Sequence, residues 1–170
     1  MGRRVIIQQA AKATKSVQDI ITRLKHPLDD LRAYLSHDEY ALLEAFSPDG
    51  HVFVRGVEDS PDGVNRRRWA TIEPGDLALI AWKGSFRFAG QVRLRKESSE
   101  FALAAGAPTH DLLYFLHQLD PVLVPYALVN SALGYEISNP FQRFAVLDEE
   151  QSVQVLEVLN RENHAPGSIR

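Results

Sequence analysis

The chain of 170 residues contains no cysteine, which removes disulfides, thiolate metal ligands and cysteine nucleophiles together and suits a reducing compartment. It has no apolar run approaching the ~20 residues that span a bilayer. Its opening residues, MGRRVIIQQAAKATKS, also lack the apolar stretch of a secretory signal. A cytoplasmic protein without a membrane partner is expected. Strong positive charge is missing too: 19 Lys and Arg against 22 Asp and Glu leave a net charge of -3, which excludes a uniformly basic coat for nucleic acid. No GxxxxGK[ST] or GxGxxG loop supports nucleotide hydrolysis or dinucleotide binding, and no GxSxG elbow or HExxH pair supports a hydrolase. The six histidines are scattered. The expectation is therefore of no catalytic residues, no metal and no cofactor.

What is present is a hydrophobic content of 45%, enough for one domain with its own core, and charge that is unevenly placed. Residues 1–26 carry Arg3, Arg4, Lys12, Lys15, Arg23 and Lys25 against Asp19 alone, whereas residues 27–49 carry Arg32 against six acids. Residues 50–100 again lean basic. Local potential steers an anionic polymer even when the whole is acidic.

Periodicity divides the chain into a basic helical lead-in over 1–26, a domain over 27–160, and a tail or linker over 161–170. Val17, Ile20, Ile21 and Leu24 fall at helical spacing. Ser36 with Glu39 forms a capping box before Tyr40, Leu42, Leu43 and Phe46. A strand is expected from His51 to Val57, followed by a polar loop over Glu58–Arg68 that delivers three arginines to Trp69. Pro74-Gly75-Asp76 launches an apolar strand, Leu77 to Trp82, and a second strand alternates Phe86, Phe88, Gly90 and Val92 with Arg87, Ala89, Gln91 and Arg93. Further strands are expected over Phe101–Ala105, Leu113–Leu119 and Phe144–Leu147. Helices are expected from Pro125 to Leu133, stopped by Gly134, and from Asp148 through Leu159. The fold class is α+β: a small, strongly bent sheet or barrel of about five strands surrounded by helices.

Aromatic and basic residues concentrate between 53 and 96. Trp82 ends an apolar strand beside Lys83 and Gly84, so its ring is expected to be half exposed, with Ser85 and Phe86 completing an aromatic and polar turn. Trp69 fits a core anchor slightly better than a binding surface. Arg66, Arg67 and Arg68, together with Arg93, Arg95 and Lys96, are candidate phosphate contacts. Glu97 and Glu100 with Lys96 are the only sketch of a nuclease centre, and charges at a strand end are ordinarily solvated.

The order of a strand from Phe53 to Val57, a loop with Asn65 and Trp69, Gly75-Asp76, an apolar strand, an aromatic turn and Phe88-Ala89-Gly90-Gln91-Val92 resembles the PUA-like superfamily, within it the EVE and YTH-like domains. The later segments LYFLHQLDPVLVPYALVNSALGY and FQRFAVLDEEQS are similar to the N-terminal recognition domains of HNH-type, modification-dependent restriction endonucleases. The resemblance implies a PUA-like barrel and a pocket that accepts a modified base flipped out of DNA. It implies base-pocket roles for Trp82 and Ser85 and, less directly, for Asn65 and Trp69, with Phe86 and Lys83 beside them. Ala81-Trp82-Lys83 stands where a tyrosine, histidine and serine often occur, so the modification is not implied. The partner implied is modified DNA, with a nuclease domain or subunit as effector. RNA is the alternative partner, and a nuclease with its own centre or a purely partner-binding domain are the rival readings.

Overall fold

Three β-branched residues at the start of the chain decide the centre of the fold. In the computed structural model, which describes residues 2–164, Val5, Ile6 and Ile7 belong to strand β1 (Val5–Gln9) and are fully buried. β1 runs parallel to β4 (Leu77–Trp82), pairing Val5 with Leu77 through Gln9 with Ala81, and antiparallel to β8 (Phe144–Val146). The expected lead-in over 1–26 is thus a central strand, helix α1 (Val17–Leu24) and a short strand β2 (Lys25–Pro27). The helical spacing of Val17 to Leu24 identifies α1, which Ser16 caps by accepting from the Asp19 N–H at 3.1 Å. It says nothing of the VII triplet, a fully buried run typical of a strand covered on both faces.

The expectation of about five strands is corrected to an eight-stranded sheet in the order β2-β3-β6-β5-β4-β1-β8, with β7 on a second edge of β5. β3 is His51–Val57, β5 is Ser85–Glu97, β6 is Leu112–Leu116 and β7 is Asp120–Pro125. β5 makes the bend. Its first half pairs with β4 on one side and β7 on the other, while its last residues, Val92 to Glu97, pair with β6 across a register shift between Val92 and Leu94. Such a shift increases local twist. The sheet is open, since β2 and β8 end its two sides. β7 carries Pro121 and Pro125 and pairs only with β5, the edge position where proline is tolerated.

The segment expected as a strand over Phe101–Ala105 is helix α4 (Ser99–Ala104). Ser98 caps it by accepting from the Phe101 N–H at 3.1 Å, and Ala102 and Ala104 favour a helix. The expected polar loop up to Arg68 ends at Gly63, and residues Val64–Ala70 form helix α3. Residues 28–46 are helical as expected, in a 3-10 turn (Leu28–Tyr34) and helix α2 (His37–Ala45) with the capping box at Ser36. Helix α5 (Tyr126–Leu133) ends at Gly134, whose φ of 74° is the left-handed geometry of that cap. Asp148 caps α6 (Glu149–His164), accepting from the Gln151 N–H at 2.8 Å. The helix continues past the boundary expected at 160, and residues 165–170 of the expected tail lie outside the described residues. No helix among them is long and apolar enough to cross a membrane.

Candidate nucleic-acid interface

The β4–β5 connection is a two-residue turn in which Lys83 (φ 50°) and Gly84 (φ 78°) both lie in the left-handed region, the requirement of a type I′ hairpin. This turn holds Trp82 opposite Ser85, and Ala81 opposite Phe86. Directly opposed residues project to the same face, so Trp82 and Ser85 share one face of the hairpin and Phe86 takes the other. Trp82 is half-buried on a layer formed by Ile20, Leu24, Ile80 and Phe88, with the Lys83 ammonium 4.6 Å from its ring centroid. Phe86 is fully buried among Tyr126 and Phe141, at 5.0 and 5.4 Å between centroids. The two rings do not wall one pocket.

Trp69 and Asn65 are also separated from that turn. The Trp69 indole is buried beneath α3 and donates to the Leu113 carbonyl at 3.0 Å, fastening α3 to β6. Asn65 donates to the Glu58 carbonyl at 2.9 Å, closing the loop before α3.

Because α3 is a helix, its three consecutive arginines point about 100° apart and do not form one patch. Arg66 holds both Glu97 oxygens, at 2.8 and 3.0 Å, and Asp59 at 2.9 Å, which raises the guanidinium pKa and lowers that of Glu97. Arg67 is exposed and donates to the Asp62 carbonyl, while Arg68 donates to Gln142 and to the Phe144 carbonyl. Arg93 lies 3.9 Å over the Phe46 ring and donates to His117. Arg95 donates to the carbonyls of Trp69, Ala70 and Ile72 at the end of α3 and stacks over Trp69. Lys96 donates to Glu39 at 2.5 Å. Lys96 and Glu97 therefore turn to different partners on α2 and α3, and the sketched nuclease constellation does not converge.

The polar group that sequence reasoning passed over is Arg55, on β3. Its Nη2 donates to the Gln9 carbonyl at 2.7 Å, but its Nε is enclosed and has no hydrogen-bond partner among the described residues. An unpaired buried donor costs about 1–3 kcal/mol. Burial lowers the Arg55 pKa from its ordinary value, and the positive charge of Arg143 lowers it further. Neighbouring positions are fixed: the fully buried Tyr114 hydroxyl donates to Gln8 Oε1, and Gln8 Nε2 donates to the Gly56 carbonyl at 2.9 Å. Gly56 is needed there, because a Cβ would sit 2.6 Å from the His110 carbonyl oxygen.

Arg55 lines a cavity of about 380 Å³ with Arg23, His26, Gly56, Phe101 and His110 among its other walls. Among the described residues no aspartate or glutamate lines it. His26 meets Phe101 edge to face at 5.4 Å, and burial lowers the pKa of both His26 and His110. Arg23 is held by Asp19 at 3.0 Å. A water-sized void of about 10 Å³ shares Arg23, Leu24 and Arg55 with this cavity and adds Thr14, whose buried hydroxyl also has no partner among the described residues. Ile20, Leu24 and Ile80 of the layer beneath Trp82 line the same void. Neither space is lined by Trp82, Ser85 or Phe86. The site is a mostly apolar recess with two cationic side chains, Arg23 and Arg55, and two imidazoles, His26 and His110, among its walls. A signal was present in the sequence: Arg55 is the one arginine or lysine in HVFVRGV, a strand that is apolar between His51 and Arg55.

No family model matches the chain, and no curated protein is similar to it. Its structure is similar to the N-terminal domain of Thermococcus gammatolerans McrB bound to m5C DNA, with a TM-score of 0.64 and 13% sequence identity, over 94% of this chain and 98% of that one. At this identity the likeness shows a shared fold.

Proposed function

We propose that this chain reads a modified base in DNA and serves as the targeting part of a restriction or defence system, with the nuclease supplied by another domain or subunit. The observation that carries the reading is the match along almost the full length of both chains to a domain whose structure holds methylated DNA. A cavity of about 380 Å³ with no aspartate or glutamate among its described lining residues supports it, since it offers a heterocycle apolar walls, the Phe101 ring and the Arg23 and Arg55 side chains. The strand β5, shared between two parts of a bent sheet, is compatible with a PUA-like origin.

In this reading the base is extruded from the duplex and inserted into the recess. Extrusion costs a few kcal/mol, and contact with one aromatic ring returns roughly 1–3 kcal/mol, with phosphate contacts supplying the remainder. Trp82, Lys83 and Ser85 on the exposed hairpin turn stack on or support the flanking DNA. Lys83 favours this role: a non-glycine residue in a left-handed turn conformation, exposed beside a half-buried indole, is a local irregularity of the kind found at ligand contacts. Arg67, Arg68 and Arg93, which hold no carboxylate among the described residues, contact phosphates.

The test is a titration of matched modified and unmodified duplexes and their RNA counterparts at two salt concentrations. Preference for modified DNA that persists at the higher salt supports the reading. Preference for RNA selects the alternative partner, and equal affinity for every duplex removes the reader.

A further inference from the structure

We infer that Arg143 holds a phosphate of the extruded nucleotide beside the cavity, a contact made only when a modified base is inserted. The inference rests on the reader function proposed above and deepens it by naming a positioning residue that couples backbone binding to base insertion.

Three observations carry it. The first is that Arg143 has a fixed backbone and an uncommitted side chain: its carbonyl accepts from the Gln9 N–H at 2.9 Å, while the exposed guanidinium has no hydrogen-bond, carboxylate or ring partner among the described residues. The second is its place. Gln9, bonded to Arg143 through its N–H, accepts from the Arg55 guanidinium at 2.7 Å, and Gln8, paired with Phe144, donates to the Gly56 carbonyl at 2.9 Å. Arg55 and Gly56 are both walls of the cavity. The third is that cations gather here without a counter-ion. Arg68 donates to Gln142 and to the Phe144 carbonyl, the residues on either side of Arg143, and holds no carboxylate among the described residues. The charge of Arg143 acts on Arg55 and on His110, another wall; Glu58 and Asp111 oppose it at His110, but neither holds Arg143 among the described residues.

Guanidinium groups gathered without carboxylates raise the local positive potential, and the anion that DNA brings to them is a phosphate. A guanidinium also matches phosphate geometry through its fork of N–H groups. Extrusion turns one nucleotide about its backbone into the pocket, which draws the phosphate of that nucleotide to the wall where Arg143 stands. A duplex that keeps its bases stacked brings no phosphate there. Each phosphate contact adds about 0.9 to the steepness of log affinity against log salt. A contact made only on insertion therefore steepens that slope for the modified duplex and not for the unmodified one, so the preference narrows by about twofold for each doubling of salt. A contact made in both complexes, as expected of Arg67, adds equally to both slopes.

The experiment compares wild type, Arg143→Ala, Arg143→Lys and Arg67→Ala on duplexes carrying one 5-methylcytosine, one N6-methyladenine or no modification, across a salt series, with thermal denaturation of each protein. On the modified duplex that wild type prefers, its salt slope is expected to exceed that on the unmodified duplex by about one. Arg143→Ala should lose about tenfold in affinity for the preferred duplex, remove the excess slope, and leave the unmodified duplex within about twofold of wild type. Arg143→Lys keeps the charge and should keep the excess. Arg67→Ala should lower both slopes and preserve the difference between them. Wild-type protein indifferent to all modifications overturns the reader function itself. A wild-type preference without the excess slope overturns this inference and leaves the reader standing, and that measurement requires no variant to fold. Folded Arg143→Ala that binds both duplexes as wild type does, or that loses equal affinity for both, overturns it as well.

Discussion

Trp82 and Phe86, only four positions apart, lie on opposite faces of the β4–β5 hairpin, because a two-residue turn pairs Trp82 with Ser85 and Phe86 with Ala81. One ring is half exposed at the turn and the other is sealed in the core. Substitution separates their roles. Trp82→Ala should weaken binding to modified DNA by more than tenfold while the fold persists, whereas Phe86→Ala should cost about 3–5 kcal/mol of stability. Affinity and melting temperature, measured on both variants, distinguish the two; wild-type affinity in folded Trp82→Ala would remove the hairpin from the interface.

Arg66 and Arg67 make a second contrast between neighbours. Arg66 is held by Asp59 and Glu97, while Arg67 is exposed and donates only to a backbone carbonyl among its described contacts. Arg67→Ala should weaken modified and unmodified duplexes alike and reduce the slope of log affinity against log salt by about one. Arg66→Ala should leave that slope unchanged, because a guanidinium already bound to two carboxylates displaces few counterions from DNA. The salt titration of both variants decides.

Gly56 sits where β3 passes the His110 backbone, and an added Cβ would lie 2.6 Å from the His110 oxygen and 2.9 Å from its Cβ. Gly56→Ala should therefore destabilise the protein by about 1–3 kcal/mol, a shift of several degrees in Tm for a chain of this size. A melting curve indistinguishable from wild type would show that the His110 loop gives way freely.

His26 and His110 carry a pH dependence of defined sign. Burial lowers both pKa values in the fold below the ordinary histidine value of 6.5; Asp30 opposes the shift at His26, and Glu58 and Asp111 oppose it at His110, where Arg55 and Arg143 add to it. The unfolded chain then binds protons more readily than the folded one as pH falls below 6.5, so stability is fully present above that value and declines beneath it. Replacing either histidine with glutamine should flatten the decline in a chemical-denaturation series run between pH 7 and pH 5. An unchanged slope would place the acid sensitivity elsewhere.

Which parts of this molecule are legible in its sequence follows from how local their causes are. The helix caps at Ser36, Asp148 and Gly134 and the strands Leu77–Trp82 and His51–Val57 are set by neighbouring residues, and the pattern marks them. β1 is not, because Val5-Ile6-Ile7 becomes a central strand only through parallel pairing with β4 some seventy residues later. α4 is masked by apolar Phe101, Leu103 and its alanines, which fit a strand by composition until the Ser98 cap is taken into account. The aromatic turn at Trp82 is legible as a half-exposed end of a strand, but its partition of rings between two faces depends on the pairing register. Arg55 illustrates the other limit. One charge within a largely apolar strand signals a committed role, yet its meaning arises only when Gln9 and Thr14 from the N-terminal segment and His110 from the loop before β6 come to surround it.

The central claim is tested most directly by the affinity of the wild-type chain for two duplexes identical except for one methyl group on a cytosine, measured at two salt concentrations. The account predicts tighter binding to the methylated duplex, with a ratio that survives the increase in salt while both affinities fall. Equal affinities at both salt concentrations would contradict it.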